Sequence, residues 1–151
     1  MTVRVLNSLL LGLAAFLLLA LMMITVIDVI GRYLLDAPLS GAFEMTELTL
    51  GALVFMALPL VSRAGAHVEV DLVAGLLPAA ANRALSLLAA VVAALVLLFF
   101  AWQLGELGIR HVSEGSRSVS LEVPFAPFAF LGCAACVLSA VLGVLRELGH
   151  D

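Results

Sequence analysis

The sequence predicts an all-α integral membrane protein of four transmembrane helices, with a short interfacial segment in the second loop and both termini on the cytoplasmic side. Three observations carry this. Hydrophobic residues make up 64% of the 151 residues and charged residues 12%, where a soluble domain is roughly half apolar and a quarter charged. Val5–Ile27, Ala84–Gly105 and Val123–Leu145 are each free of charge, and each has about the 20 residues a helix needs to cross the hydrocarbon core. Nearly all the charge gathers between these runs. A fourth run, Leu48 to Ser62, is shorter. It spans only if its helix starts near Ser40 and holds Glu44 and Glu47 at the interface. The spans then cover about 5–33, 40–62, 83–106 and 123–146, in a single membrane domain over 1–151.

The first span follows Arg4. Its apolar stretch is longer than the 7–15 residues of a signal-peptide core, and no small-residue cleavage site follows before Asp28, so it is expected to be a retained anchor. Asp28 and Arg32 stand four residues apart and can pair on one helix face. Pro38 disfavours helix at Ala37 and closes the element. Ser40 is the expected N-cap of the second span. Glu44 and Glu47 lie in its first turns, where carboxylates meet the positive end of the helix dipole. Pro59 predicts a kink or break late in it.

The second loop runs from Arg63 to Asn82. Within it His67–Val73 alternates polar and apolar residues. A lone strand beside a membrane has no partner, so this is expected to lie in the interface. The third span is capped near Asn82 and ends near Gly105, with Trp102 in the aromatic belt. A polar loop follows from Glu106 to Glu122. Pro124 and Pro127 open the fourth span, where proline is tolerated early in a helix. Gly132, Cys136 and Ala140 recur at four-residue spacing, as do Ser139 and Gly143. Small residues let helices approach closely in lipid. This stripe, with the alanines of the third span, is the expected place for a partner helix.

With four spans, Arg4, Arg63, Arg83 and Arg146 share one side and Arg32, Arg110 and Arg117 the other. The small excess favours cytoplasmic termini. The acids Asp28, Asp36, Glu44, Glu47, Glu106, Glu114 and Glu122 fall on the outer side, where they can help dock a partner. The net charge of -4 and the lack of any basic cluster argue against nucleic acid.

Cys133 and Cys136 form a C-x-x-C inside the last apolar run. Four-helix membrane enzymes that pass electrons from thiols to quinones use such pairs, but they need a second, exposed pair, which this chain lacks. The expected role is packing, since free cysteine behaves as a small apolar residue. His67, His111 and His150 are scattered, and metal sites need convergent ligands, so no metal or cofactor is expected. Asp28, Glu44, Glu47 and Glu106 lie near span ends, which favours pairing and capping over proton relay. No phosphate loop, nucleophile elbow or zinc helix motif is present. A carrier needs a polar site near the bilayer midplane, and no span has a polar centre. The chain therefore has the character of a membrane scaffold rather than an enzyme.

Asp28-Val29-Ile30-Gly31-Arg32-Tyr33, followed by Pro38, Gly41, Glu44 and Glu47, resembles the signature after the first span of the small membrane subunit of tripartite ATP-independent periplasmic (TRAP) transporters. Arg63-Ala64-Gly65-Ala66-His67-Val68-Glu69-Val70-Asp71 resembles that family's second loop. The C-x-x-C is not part of its pattern. The resemblance implies a static, non-catalytic subunit of the bacterial inner membrane, embedded in lipid. Its partners would be a large multi-span subunit, which moves substrate and sodium sites in an elevator fashion, and a periplasmic binding protein that delivers an organic acid.

On this resemblance Asp28 and Arg32 brace the first span and Tyr33 anchors at the interface. Pro38 and Gly41 shape the turn. Glu44 and Glu47 hold Arg32 or a partner's arginine, and Arg63, His67 and Asp71 fix the cytoplasmic loop. Glu114 and Glu122 are candidates for contact with the binding protein. Gly132, Cys136, Ser139 and Gly143 serve helix packing. Two rivals stand beside this: a thiol–quinone oxidoreductase using Cys133 and Cys136, and a self-sufficient homodimeric carrier.

Overall fold

The computed structural model describes residues 2–64 and 79–148. Four helices follow one another: α1 (Thr2–Leu34), α2 (Ala42–Ala64), α3 (Ala79–Glu114) and α4 (Ala126–Leu148). All four are long and apolar enough to cross a membrane. In lipid every backbone N–H and C=O must be paired within the chain, which is why apolar runs of this length become helices. The interfacial segment expected at His67–Val73 lies outside the described residues.

α1 starts at Thr2 and α4 at Ala126, three residues from the expected starts, which leaves Pro124 outside α4; three other boundaries differ for reasons the structure shows. α3 starts at Ala79 instead of near Asn82, and Ala79-Ala80-Ala81 are strong helix formers that need no cap at Asn82. It also continues through the stretch expected to be loop, to Glu114. Glu106, Arg110 and Glu114 recur at four-residue spacing and suit one helix face. The stop signal is Gly115, whose φ of 63° lies in the left-handed region. The Ser116 N–H then returns to the His111 carbonyl at 3.1 Å, the six-to-one bond of a Schellman cap. Third, α2 is capped by Gly41 rather than Ser40: the Gly41 carbonyl accepts the Met45 N–H at 2.9 Å. Gly41 has φ 77°, which glycine adopts without strain.

α2 runs on past Pro59 to Ala64, and Pro59 is fully buried. α3 has 36 residues, about 54 Å at 1.5 Å per residue, well beyond a hydrocarbon core of about 30 Å.

The helices do not close into a bundle. α1 packs on α2, α2 on α4, and α4 on α3, so their order across the molecule is α1–α2–α4–α3. None of the apolar stretch of α1 is fully buried, whereas α4 is the most buried of the four. The buried side chains are small: Ala52, Ala101, Ala126, Ala129, Ala135, Cys136 and Ala140. Leucines, valines and phenylalanines instead point outward along α1 and α3, as side chains facing lipid or another protein do.

The small-residue stripe of α4, expected to meet a partner, is used inside the chain. Gly132 lies under the Phe55 ring of α2, where an added Cβ would come within 2.7 Å of the ring. On α3, Gly108 lies under Phe130 of α4 and Gly105 faces the Cys133 sulfur. Cys136 is 3% exposed and Ser139 fully buried. The Ser139 hydroxyl donates to the Ala135 carbonyl at 2.7 Å, so no polar group is left open there. Gly143 has open space around it. Two ring-on-glycine contacts help α4 hold the centre: Gly132 admits the Phe55 ring of α2, and Gly108 of α3 admits the Phe130 ring of α4, both at close range.

Candidate functional site

The polar residues singled out in the sequence meet mostly at one end of the row, where the α1–α2 and α3–α4 connections lie together. Two carboxylates organise this end. Asp28, in the penultimate turn of α1, uses both oxygens. Oδ2 accepts from Arg32 Nη2 at 2.8 Å, and Oδ1 accepts from the Leu39 backbone N–H at 3.1 Å. The first bond follows from four-residue spacing. The second crosses the turn and pins the start of α2 to the end of α1.

Between them the chain makes a tight reversal. The Gly31 carbonyl accepts from the N–H groups of Leu35, at 3.3 Å, and Ala37, at 2.9 Å. Asp36 has φ 49°, a left-handed conformation that aspartate tolerates better than most residues. The Ala37 carbonyl folds back over Gly31, which is buried, and a Cβ on Gly31 would lie 2.6 Å from that oxygen. Glycine is therefore demanded at 31 by a close backbone approach. Beside this turn a mainly apolar crevice of about 240 Å³ is lined by Ile27, Ile30, Gly31, Leu35, Ala37 and Leu39.

The second carboxylate is Glu44, in the first turn of α2. It accepts from the Ser118 hydroxyl, from the Ser120 N–H at 3.0 Å and from the Leu121 N–H at 3.2 Å. The Ser118 hydroxyl also accepts from the Leu121 N–H at 3.2 Å. Residues 118–121 thus wrap the carboxylate. The wrap is braced from behind, because the Ser118 N–H donates to the Val123 carbonyl at 2.9 Å and the Glu122 N–H to the Ser118 carbonyl at 3.2 Å. Arg117 and Pro124 form an isolated antiparallel bridge. Leu121 packs so closely on Gly41 that a Cβ there would come within 2.9 Å of its Cδ2. Gly41 therefore answers two demands, left-handed φ and room for Leu121.

The other candidates are placed as follows. Tyr33 and Pro38 are exposed. Glu47 is exposed, and among the described residues it makes no hydrogen bond or ion pair. Glu44 turns to the α3–α4 connection and not to Arg32, which pairs with Asp28. Glu114 and Glu122 are exposed on the α3–α4 side; Glu114 accepts from the Ser116 hydroxyl at 3.4 Å. Arg117 Nη1 reaches the Glu122 carbonyl at 3.5 Å. His67, Asp71 and the side chain of Arg63 lie outside the described residues.

Sequence reasoning missed Leu39 as a partner of Asp28 and the group Ser118, Ser120 and Leu121 as the partners of Glu44. The serine-rich stretch after Gly115 advertised spare donors. Nothing in the sequence says which acceptor they find some 75 residues away.

The arrangement at this end is one of hydrogen-bonded ties between connections. Both carboxylates are half-buried and are engaged by donors from their own chain. Among the described residues no three or more His, Cys, Asp or Glu side chains are grouped for a metal ion. Cys133 and Cys136 are both free thiols, far along α4 from this end.

The two bonds of Asp28 carry unequal weight. Arg32→Ala should lower stability by only about 0.5 kcal/mol, as for an exposed ion pair. Asp28→Ala should cost about 1–2 kcal/mol, because the Leu39 N–H loses its acceptor. Reversing the charges with Asp28→Arg and Arg32→Asp should fail to restore stability, since arginine accepts no hydrogen bond. Thermal unfolding in mild detergent reads the series. Full rescue by the reversal would show that the ion pair alone matters.

Residues 21–149 match a family model described as tripartite ATP-independent periplasmic transporters, DctQ component. The match covers nearly the whole chain. No curated protein matches it.

Proposed function

The chain belongs to the DctQ-component family of tripartite ATP-independent periplasmic transporters, and from that premise we propose that it is the fixed, non-catalytic membrane subunit supporting a large elevator-type subunit. It is a multi-pass membrane protein with four helices able to span. On our proposal it stands in the bacterial inner membrane with both termini in the cytoplasm. The end bearing Asp28 and Glu44 then faces the periplasm and helps dock the binding protein. Transport is uptake of an organic acid coupled to sodium.

The observation that carries the scaffold role is the open row α1–α2–α4–α3. A row has two broad apolar faces and no enclosed path. It widens the footprint of whatever it packs against, and it leaves α1 and α3 with outward surfaces that the other described residues do not cover. The ties between the two connections supply the complementary half: the helix ends are held in fixed relation, as a static member beside a moving one needs. The Asp28–Arg32 pair and Tyr33 are proposed to steady the first span at the interface, and Arg63, His67 and Asp71 to fix the cytoplasmic loop.

Purification in mild detergent from its native membrane tests the proposal. A large multi-span protein should accompany the chain in stoichiometric amount, and uptake in liposomes should need both membrane chains and the binding protein. Transport by the chain alone would establish the homodimeric carrier instead. In the same assay Cys133→Ser with Cys136→Ser should leave uptake within about twofold, since serine nearly preserves volume; its abolition would favour the thiol chemistry.

A further inference from the structure

The wrap of residues 118–121 around Glu44 has one member that makes no bond to it. Ser118, Ser120 and Leu121 all point donors at the carboxylate, and Val119, between them, is turned the other way. It is 94% exposed, the most exposed large apolar side chain among the described residues. An exposed valine on a slack loop needs no explanation. This one is on a braced loop: the Glu44 bonds hold both its neighbours, the Ser118 N–H is tied to the Val123 carbonyl, and Leu121 is packed on Gly41.

The surroundings indicate what covers it. Asp36, Glu47, Glu106, Glu114 and Glu122 are exposed at this end of the row, against Arg32, Arg110 and Arg117. Arg32 is already paired with Asp28. Glu106, Arg110 and Glu114 line the last turns of α3, and charged side chains open to their surroundings mark the water side of the interface. The loop that follows them therefore stands in water, beyond lipid tails. An apolar point set in an acidic field suits a soluble protein with a shallow apolar pocket ringed by basic residues.

We infer that Val119 is a preformed peg that enters such a pocket, and that Glu44 is the residue that positions it. On the docking role proposed above, on which this inference rests, the protein bearing the pocket is the periplasmic binding protein. A few fully desolvated side chains near the centre of an interface carry most of its binding energy, and a valine, less common there than an aromatic residue, depends on rigid presentation for its share. Holding it in place beforehand spares the ordering cost of association.

The test uses the complete complex of both membrane subunits in nanodiscs, with the binding protein added in solution. Val119→Ser should weaken its binding about tenfold, mainly through faster dissociation, with the ratio of the two membrane subunits unchanged. Val119→Ile should bind like the wild type. A photo-crosslinking residue at 119 should yield an adduct with the binding protein. Unchanged affinity for Val119→Ser, or an adduct only with lipid or with the large subunit, overturns the inference and leaves the scaffold role standing. A wild-type complex that recruits no binding protein would remove the docking role itself.

Discussion

Glu44→Ala is expected to release the α3–α4 connection while leaving the four spans in the membrane. The carboxylate gathers three donors from residues 118–121; alanine leaves the Ser118 hydroxyl and the Ser120 N–H without that acceptor, and the Leu121 N–H with only the Ser118 oxygen. The loop has little else to hold it down: one backbone bridge, a short set of internal turns, and the contact of Leu121 with Gly41. Amide exchange at Ser120 and Leu121 should speed up by an order of magnitude or more, as for a segment that opens locally rather than with the whole fold. Uptake should fall with it if the loop helps to dock a partner. Glu44→Gln keeps one carbonyl acceptor and should fall between the two. Glu47→Ala, one turn along and exposed without a bond, should be close to neutral. Equal exchange in wild type and Glu44→Ala would show that the loop is held by its own turns alone.

Gly31→Ala should have the largest effect on stability of any single methyl group added in the α1–α2 turn. The added carbon would lie 2.6 Å from the Ala37 carbonyl oxygen. That oxygen belongs to the backbone of a reversal already fixed by two bonds to the Gly31 carbonyl and by the Asp28–Leu39 bond. Nothing flexible is available to yield, so the turn must open. Overpacking of this kind costs about 1–3 kcal/mol, and loss of the Asp28–Leu39 bond should put the variant at the upper end. Gly12→Ala is the matched control, since nothing lies within 4 Å of that position. It should be neutral or slightly stabilising, because alanine is the better helix former. Equal thermal midpoints for the two variants would show that the α1–α2 turn is not as tight as its geometry indicates.

The four helices were legible because lipid leaves the backbone no alternative: charge-free runs of spanning length must become helices. The ends were less so. Glu106 read as the start of a loop because it is charged, yet at four-residue spacing charge is as compatible with a helix face as with a loop. Gly115 was the true stop. Asp28 and Arg32 were readable as a pair because helix periodicity alone brings them together. Glu44 was readable as important but not as the partner of Ser118, because that contact depends on α2 and α4 being neighbours. The stripe of Gly132, Cys136 and Ser139 was legible as a packing surface. That Gly132 would receive Phe55 of the same chain required the helix order.

That order bears on how the chain is made. α4 is synthesised after α3, yet its place is between α2 and α3. The first three helices therefore cannot finish packing as they leave the ribosome, and α2 and α3 must stay far enough apart to admit a latecomer. Until it arrives, Phe55 has no Gly132 to rest on. Closure of the α3–α4 connection on Glu44 thus reports that α4 has taken its place between α2 and α3.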